Sequence, residues 1–144
     1  MELSCRLEYA LLALLELADR YPQGEPLQIR QIAAQQNIPD RYLEQLLATL
    51  RRGGIVLSQR GAKGGYLLAR EPWTITLWDV IDCLEGGAAV NRKDATAMVA
   101  DREAIAAIWQ EVCAGARAVW QQYSLQDLCE QRRARSQVNP MYYI

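Results

Sequence analysis

A mainly α-helical chain with a small two-stranded β wing is the fold class this sequence predicts: a winged helix-turn-helix domain followed by a long helix. Three observations carry the prediction. Two short helical patterns are separated by a tight turn at Asn37, a basic hairpin pattern is tipped by glycines at 60–65, and an apolar seam at steps of three and four runs through 101–123. With 144 residues, 51% of them hydrophobic, the chain suffices for one well-packed domain plus a helical appendage, and is too short for two full-sized domains.

Each element has a local reason. Ser4 is placed to cap a first helix whose Leu7, Leu11, Leu14, Ala18 and Tyr21 form one apolar stripe, and Tyr21-Pro22-Gln23-Gly24 ends it. A second helix, about 28–36, turns Ile29, Ile32 and Ala33 inward, and Asn37 tolerates the left-handed turn that follows. Asp40 is the expected N-cap of a third helix, with Tyr42, Leu43, Leu46, Leu47 and Leu50 as inward positions and Gly53-Gly54 as its stop. Residues 55–59 and 66–69 are β-compatible and bracket 60–65, where Gly61, Gly64 and Gly65 supply the turn. Ile75-Thr76-Leu77-Trp78-Asp79-Val80 starts a fourth helix, with Thr76 and Asp79 spaced as a capping box and Ile75 and Val80 as a staple.

The stretch 88–100 is open between helix and loop. From 101 to 123 the seam of Ile105, Ile108, Val112, Ala116, Val119 and Tyr123 can pair with its own copy, while Trp109 and Trp120 lie off it and are expected to pack against the domain. Ser124 and Asp127 cap a last short helix, and 131–144 reads as a polar tail docking through Met141, Tyr142 and Tyr143. The expected organisation is therefore a winged helix-turn-helix domain at 1–87, a connecting segment at 88–100, a long dimerisation helix at 101–123, and a short helix with tail at 124–144.

The charge is segregated. Between Gln28 and Arg70 stand seven bases against two acids, a charge of +5, while the remainder carries nine against fifteen, −6. A cationic face attracts phosphates and releases their counterions, so double-stranded DNA is the expected partner; an ordinary solvated helix and hairpin is the reading charge alone leaves open. A helix fits the major groove, and a charged hairpin reaches the adjacent minor groove or backbone. Enzymatic function is not expected, because the chain has no histidine, no paired nucleophile and base, and no metal-ligand cluster. Gly61-Ala62-Lys63-Gly64-Gly65 lacks the Gly-Lys-Ser/Thr of a phosphate-binding loop. Glu8 and Glu16 interrupt the apolar stretch near the N-terminus, no run approaches a membrane span, and a reducing cytoplasmic location is expected.

Four motifs together resemble one family: Tyr42-Leu43-Glu44-Gln45-Leu46, Leu50-Arg51-Arg52-x-Gly54, Arg60-Gly61-x-x-Gly64-Gly65-Tyr66-Leu67-Leu68 and Ile75-Thr76-Leu77-x-Asp79-Val80-Ile81. Over about residues 1–87 the chain is similar to the IscR-like, Rrf-type winged helix-turn-helix transcription regulators. The long helix and the Ser124-Leu125-x-x-Leu128 start match that family's general plan. The resemblance implies a homodimer, joined by the long helices, on a pseudo-palindromic operator. Carried over by position, Arg41, Tyr42, Glu44 and Gln45 face bases and phosphates, and Arg60 enters the minor groove with the wing residues Gly61, Lys63, Gly64 and Gly65. Gln28, Arg51 and Arg52 complete the expected DNA-facing set. Arg41 and Gln45 share a helix face and suit guanine and adenine edges. For Tyr42 and Leu43 a core role is the alternative. Glu44 either accepts from a cytosine amine or holds Arg41 in place.

Many members of that family hold a [2Fe–2S] cluster on three closely spaced cysteines between the wing and the long helix, plus one further ligand. Here residues 84–112 contain no cysteine, and Asn91, Asp94 and Asp101 are poor replacements for thiolates. No cofactor is expected. Glu8 matches a first-helix position from which some relatives offer a carboxylate. Cys5, Glu8 and Cys83 are the candidates for an atypical sensor or thiol site, although each of Cys5, Cys83, Cys113 and Cys129 has an expected role as a small buried apolar residue. Alternatives to an operator-binding regulator are a winged module that binds a regulatory protein partner, or a regulator sensing redox through such a site.

Overall fold

The Ser4 hydroxyl accepts the Leu7 amide at 3.2 Å and starts α1, Cys5–Arg20. The computed structural model describes residues 2–86 and 100–138. After α1 come a 3₁₀ turn Tyr21–Gln23, α2 Ile29–Gln36, α3 Asp40–Arg52, β1 Val56–Gln59, β2 Gly65–Leu68, a 3₁₀ turn Pro72–Thr74, α4 Leu77–Glu85, α5 Ala100–Gln121 and α6 Leu125–Val138. The mainly α class with one β wing is as expected.

Helix α1 is the hub. It buries Leu7, Ala10, Ala13, Leu14, Leu15, Leu17 and Ala18, more than one stripe, because α2, α3, α4, α6 and β2 all pack against it. A helix apolar over most of its circumference is an internal one. Asn37, with φ of 54°, makes the left-handed turn out of α2, and the Ile38 amide donates to the Ala33 carbonyl at 3.1 Å.

The expected cap of α3 is corrected. Pro39, not Asp40, occupies the N-cap, and Asp40 is the first helical residue, making no capping hydrogen bond. Ile38 is buried, and the extended geometry fixed by Pro39 lets the helix begin immediately after it, so the Asp40 carboxylate acts through the positive end of the helix. Leu43, Leu46, Leu47 and Leu50 are buried beneath α3, and Tyr42 is half-buried edge-on against Tyr9, ring centroids 5.5 Å apart.

Strands β1 and β2 pair antiparallel from Val56–Leu68 to Gln59–Gly65. Strand β1 starts one residue later than expected and β2 is shifted by one, taking in Gly65 from the expected turn and leaving out Ala69, since Ile55 and Ala69 meet only through the Ala69 amide on the Ile55 carbonyl, 2.9 Å. Leu27 adds an isolated bridge to Tyr66, with N–H to O distances of 3.0 and 2.7 Å, fixing the wing to the chain entering α2. Gly65 permits this approach: its φ is +152°, and a side chain there would run into the Leu27 carbonyl.

Two capping boxes face each other. Thr76 and Asp79 exchange bonds of 2.9 and 3.1 Å at the start of α4, as do Ser124 and Asp127 at the start of α6. The two caps form a bridge, the Leu77 amide donating to the Tyr123 carbonyl and the Leu125 amide to the Ile75 carbonyl. Helix α5 buries none of its residues and meets the domain at α4, where Arg117 lies 5.0 Å over the Trp78 ring. Trp120 is half-buried against the core, but Trp109 is 59% exposed, which corrects the expectation for it: α5 projects away, and Trp109 lies too far along it to reach the domain.

Helix α6 is also longer than expected, because 131–138 is helical and not tail. Leu125 and Cys129 bury one turn, after which Arg132 pairs with Glu16 at 3.2 Å and with Asp19, and Arg133 pairs with Asp19 at 3.3 Å. Ion pairs to α1 hold the extension, so it leaves no apolar period. Residues 88–99 and the tail with Met141, Tyr142 and Tyr143 lie outside the described residues. Among the described residues no helix is long and apolar enough to cross a membrane.

Candidate nucleic-acid interface

The leucines that anchor α3 decide which of its side chains remain outside. Arg41, Glu44, Gln45, Arg51 and Arg52 are exposed on the opposite face, with half-buried Ala48 between them. Leu43 is fully buried, so of the two readings it is core. Tyr42 stands between the two, packed on Tyr9 with one side open. Glu44 forms no ion pair with Arg41 among the described residues, leaving both free to meet a ligand.

The wing lies beside this face. Arg51 donates to the Ser58 hydroxyl at 3.3 Å, joining the end of α3 to β1, and Arg52 donates to the Thr49 hydroxyl at 3.4 Å. Gly61 has φ of +108°, and the buried Gly64 donates its amide to the Gly61 carbonyl at 3.0 Å; a side chain at Gly64 would strike the Gln59 carbonyl. This tight tip holds Arg60 and Lys63 exposed, with no ion pair to either among the described residues. Gln28 caps α2, its amide donating to the Gln31 side chain at 2.9 Å, and its own side-chain amide reaches the Ala62 carbonyl at 3.5 Å. Its side-chain amide thus contacts the wing.

The sensor candidates are not gathered. Cys5 and Glu8 are exposed on the first turns of α1, while Cys83 is half-buried on α4, its thiol directed at the Thr49 carbonyl at 3.5 Å and set against Gly53. Among the described residues no group of three or more His, Cys, Asp or Glu side chains is arranged to hold a metal ion. Burial, and then Asp82, push the Cys83 thiol up, against the opposing pull of Arg6 and Arg52. Burial and Asp19 raise the Cys129 thiol. The expectation of four buried cysteines holds for Cys129 and fails for Cys5 and Cys113, which are exposed because one opens α1 and the other rides on the projecting α5.

A basic helix face beside a glycine-tipped basic wing also agrees with what the chain matches. The family model Rrf2, described as iron-dependent transcriptional regulator, matches residues 3–131. The chain belongs to the Rrf2 family. Among Rrf2 relatives, the HTH-type transcriptional regulator CymR of Bacillus subtilis is 44% identical over 86 residues, 60% of this chain and 62% of that protein. An HTH-type regulator of Synechocystis is 47% identical over 85 residues, 59% of this chain and 57% of that one. The matches thus span about three-fifths of the length of these relatives. Among solved structures, IscR of T. potens superposes with a TM-score of 0.74 at 32% identity, covering 92% of this chain and 88% of that one. CymR, titled the global cysteine regulator of B. subtilis, superposes with a TM-score of 0.72 at 34% identity, covering 91% and 98%. The Rrf2 family and these relatives are transcriptional regulators, not enzymes.

Proposed function

We propose that this chain is a sequence-specific DNA-binding transcription regulator acting as a homodimer on a pseudo-palindromic operator. The observation that carries it is the joint exposure of Arg41, Gln45, Arg51 and Arg52 on one face of α3 beside Arg60 and Lys63 on the wing, in a segment of charge +5. Helix α3, 13 residues long, enters the major groove, which is about 12 Å wide. Arg41 and Gln45 read guanine and adenine edges, Glu44 accepts from a cytosine amine, and Arg51 and Arg52 hold phosphates. The wing at 60–65 enters the minor groove through Arg60, Gln28 keeping its tip in place. Ile105, Ile108, Val112 and Val119 stand exposed along α5, 69% at Ile105 and 65% at Ile108, with Tyr123 exposed just beyond its end, and a second copy of the same seam covers them.

The iron of the family description finds no group of three or more His, Cys, Asp or Glu donors among the described residues. A cluster takes thiolates, the sequence has no cysteine between Leu84 and Val112, and the flanking Cys83 is half-buried against Gly53 with its thiol at the Thr49 carbonyl. The proposed regulator works without a [2Fe–2S] cluster at the family's usual place.

A salt titration of binding to random and operator-bearing duplex tests the function. The expected result is a steep fall of affinity with salt, and a loss of about 1–3 kcal/mol in Arg60→Ala on the operator. Binding without salt dependence points to a protein-binding module, and an unchanged Arg60→Ala removes the wing from the interface. Anaerobically purified protein is expected to be colourless and to have the apoprotein mass in native mass spectrometry. A visible chromophore with added iron and sulfide refutes the cluster-free reading.

A further inference from the structure

A trough of about 510 Å³ opens between the start of α1 and the side of α3, lined by Tyr42, Gln45, Ala48 and Thr49, with Arg52 from α3 and Arg6 from α1. Two guanidiniums line it, and no carboxylate does among the described residues. Arg6 uses one nitrogen on the Leu84 carbonyl at 3.1 Å, and Arg52 uses one on the Thr49 hydroxyl at 3.4 Å; their other donors have no partner among the described residues. Neither makes an ion pair among the described residues, Asp82 beside them in the fold included. Both act electrostatically on the Cys83 thiol, which brings them to one neighbourhood independently of the trough.

Arg6 meets the negative end of α4 through the Leu84 carbonyl, but two positive influences remain beside it. It lies in the first turn of α1, where the helix dipole presents its positive end, and it faces a second cation. An anion relieves both, and a pair of guanidiniums supplies the forked donors that planar or tetrahedral oxyanions take. The Tyr42 hydroxyl and the Gln45 amide add neutral donors in the same wall.

We propose that Arg6 and Arg52 frame an oxyanion site, taking a phosphate or a carboxylate group between α1 and the recognition helix. The occupant comes from the DNA backbone or from a free small anion. In the second case the site ties an anionic metabolite to the reading face, because Gln45 belongs to both. Only the DNA source rests on the proposed function.

Two titrations of the full chain decide it. In the first, inorganic phosphate is added at constant ionic strength while the side-chain N–H signals of arginine are followed by NMR. Saturable shifts at Arg6 and Arg52 are expected, lost at the remaining arginine in Arg6→Gln and in Arg52→Gln. Arg52 is exposed, so its variant remains informative if Arg6→Gln fails to fold. In the second, duplex affinity is followed against salt, with Arg20→Gln at the far end of α1 as the control for losing one charge. A slope smaller by about one in Arg6→Gln than in Arg20→Gln identifies the occupant as a backbone phosphate. Saturable phosphate shifts with an unchanged slope identify a free anion. Shifts at Arg6 and Arg52 no larger than at Arg20, with an unchanged slope, overturn the site. If the wild type binds no duplex, the proposed function fails, and the phosphate titration alone still decides this site.

Discussion

Replacing Gly65 with alanine strains the wing in two ways that a second glycine separates. Gly61 and Gly65 both have positive φ, +108° and +152°, and an alanine at either costs about 1–3 kcal/mol in backbone strain. At Gly61 the new methyl meets nothing within 4 Å, whereas at Gly65 it meets the Leu27 carbonyl. Relieving that collision breaks the Leu27–Tyr66 bridge, two hydrogen bonds of 3.0 and 2.7 Å that contribute about 0.5–1.5 kcal/mol each. Gly65→Ala therefore costs about 2–6 kcal/mol, against about 1–3 for Gly61→Ala. Amide hydrogen exchange at Leu27 and Tyr66 reads this locally, since each 1.4 kcal/mol of lost protection is about tenfold in the opening equilibrium. The expected result is faster exchange at both amides in Gly65→Ala, by at least about fivefold over Gly61→Ala. Equal exchange in the two variants refutes the argument that the bridge docks the wing.

Ile108→Glu places a charge in the middle of the exposed α5 seam and is expected to convert a dimer to a single chain in sedimentation equilibrium without loss of helicity; a variant that remains dimeric at micromolar concentration excludes this seam as the interface. Burial, and then Asp19, raise the Cys129 thiol above its ordinary 9.0, so the folded state favours the protonated form. Its stabilisation is full below that ordinary value and is lost as pH rises through the raised one. Urea midpoints of the wild type are expected to fall more steeply above about pH 9 than those of Cys129→Ala, and parallel curves refute the assignment.

What was legible in the sequence is what depends on neighbours three or four residues apart. Ser4, Thr76 with Asp79, and Ser124 with Asp127 cap as expected because a cap is a local exchange of hydrogen bonds. The exposed face of α3 followed from its leucines in the same way. The end of α6 was not legible, because Arg132 answers Glu16 and Asp19 more than a hundred positions away. Asp40 misled because an acidic residue at a helix start serves equally as cap or as first helical residue, and Pro39 decided between them. Arg6 gave one signal that was missed: a base in the first turn of a helix, where its charge is unwelcome, needs a reason from elsewhere in the fold.

The bridge between Thr76 and Ser124 has a mechanical consequence. It pins the C-terminal end of α5 to the head of α4, with a capping box bracing each side of the joint. In a dimer built along α5, the two reading heads then resemble the jaws of a calliper whose pivot is locked. Their separation is set by how the paired helices cross, not by play at the corner. A locked gauge rejects an operator whose half-sites stand one base pair too far apart, even when every base in each half-site is correct.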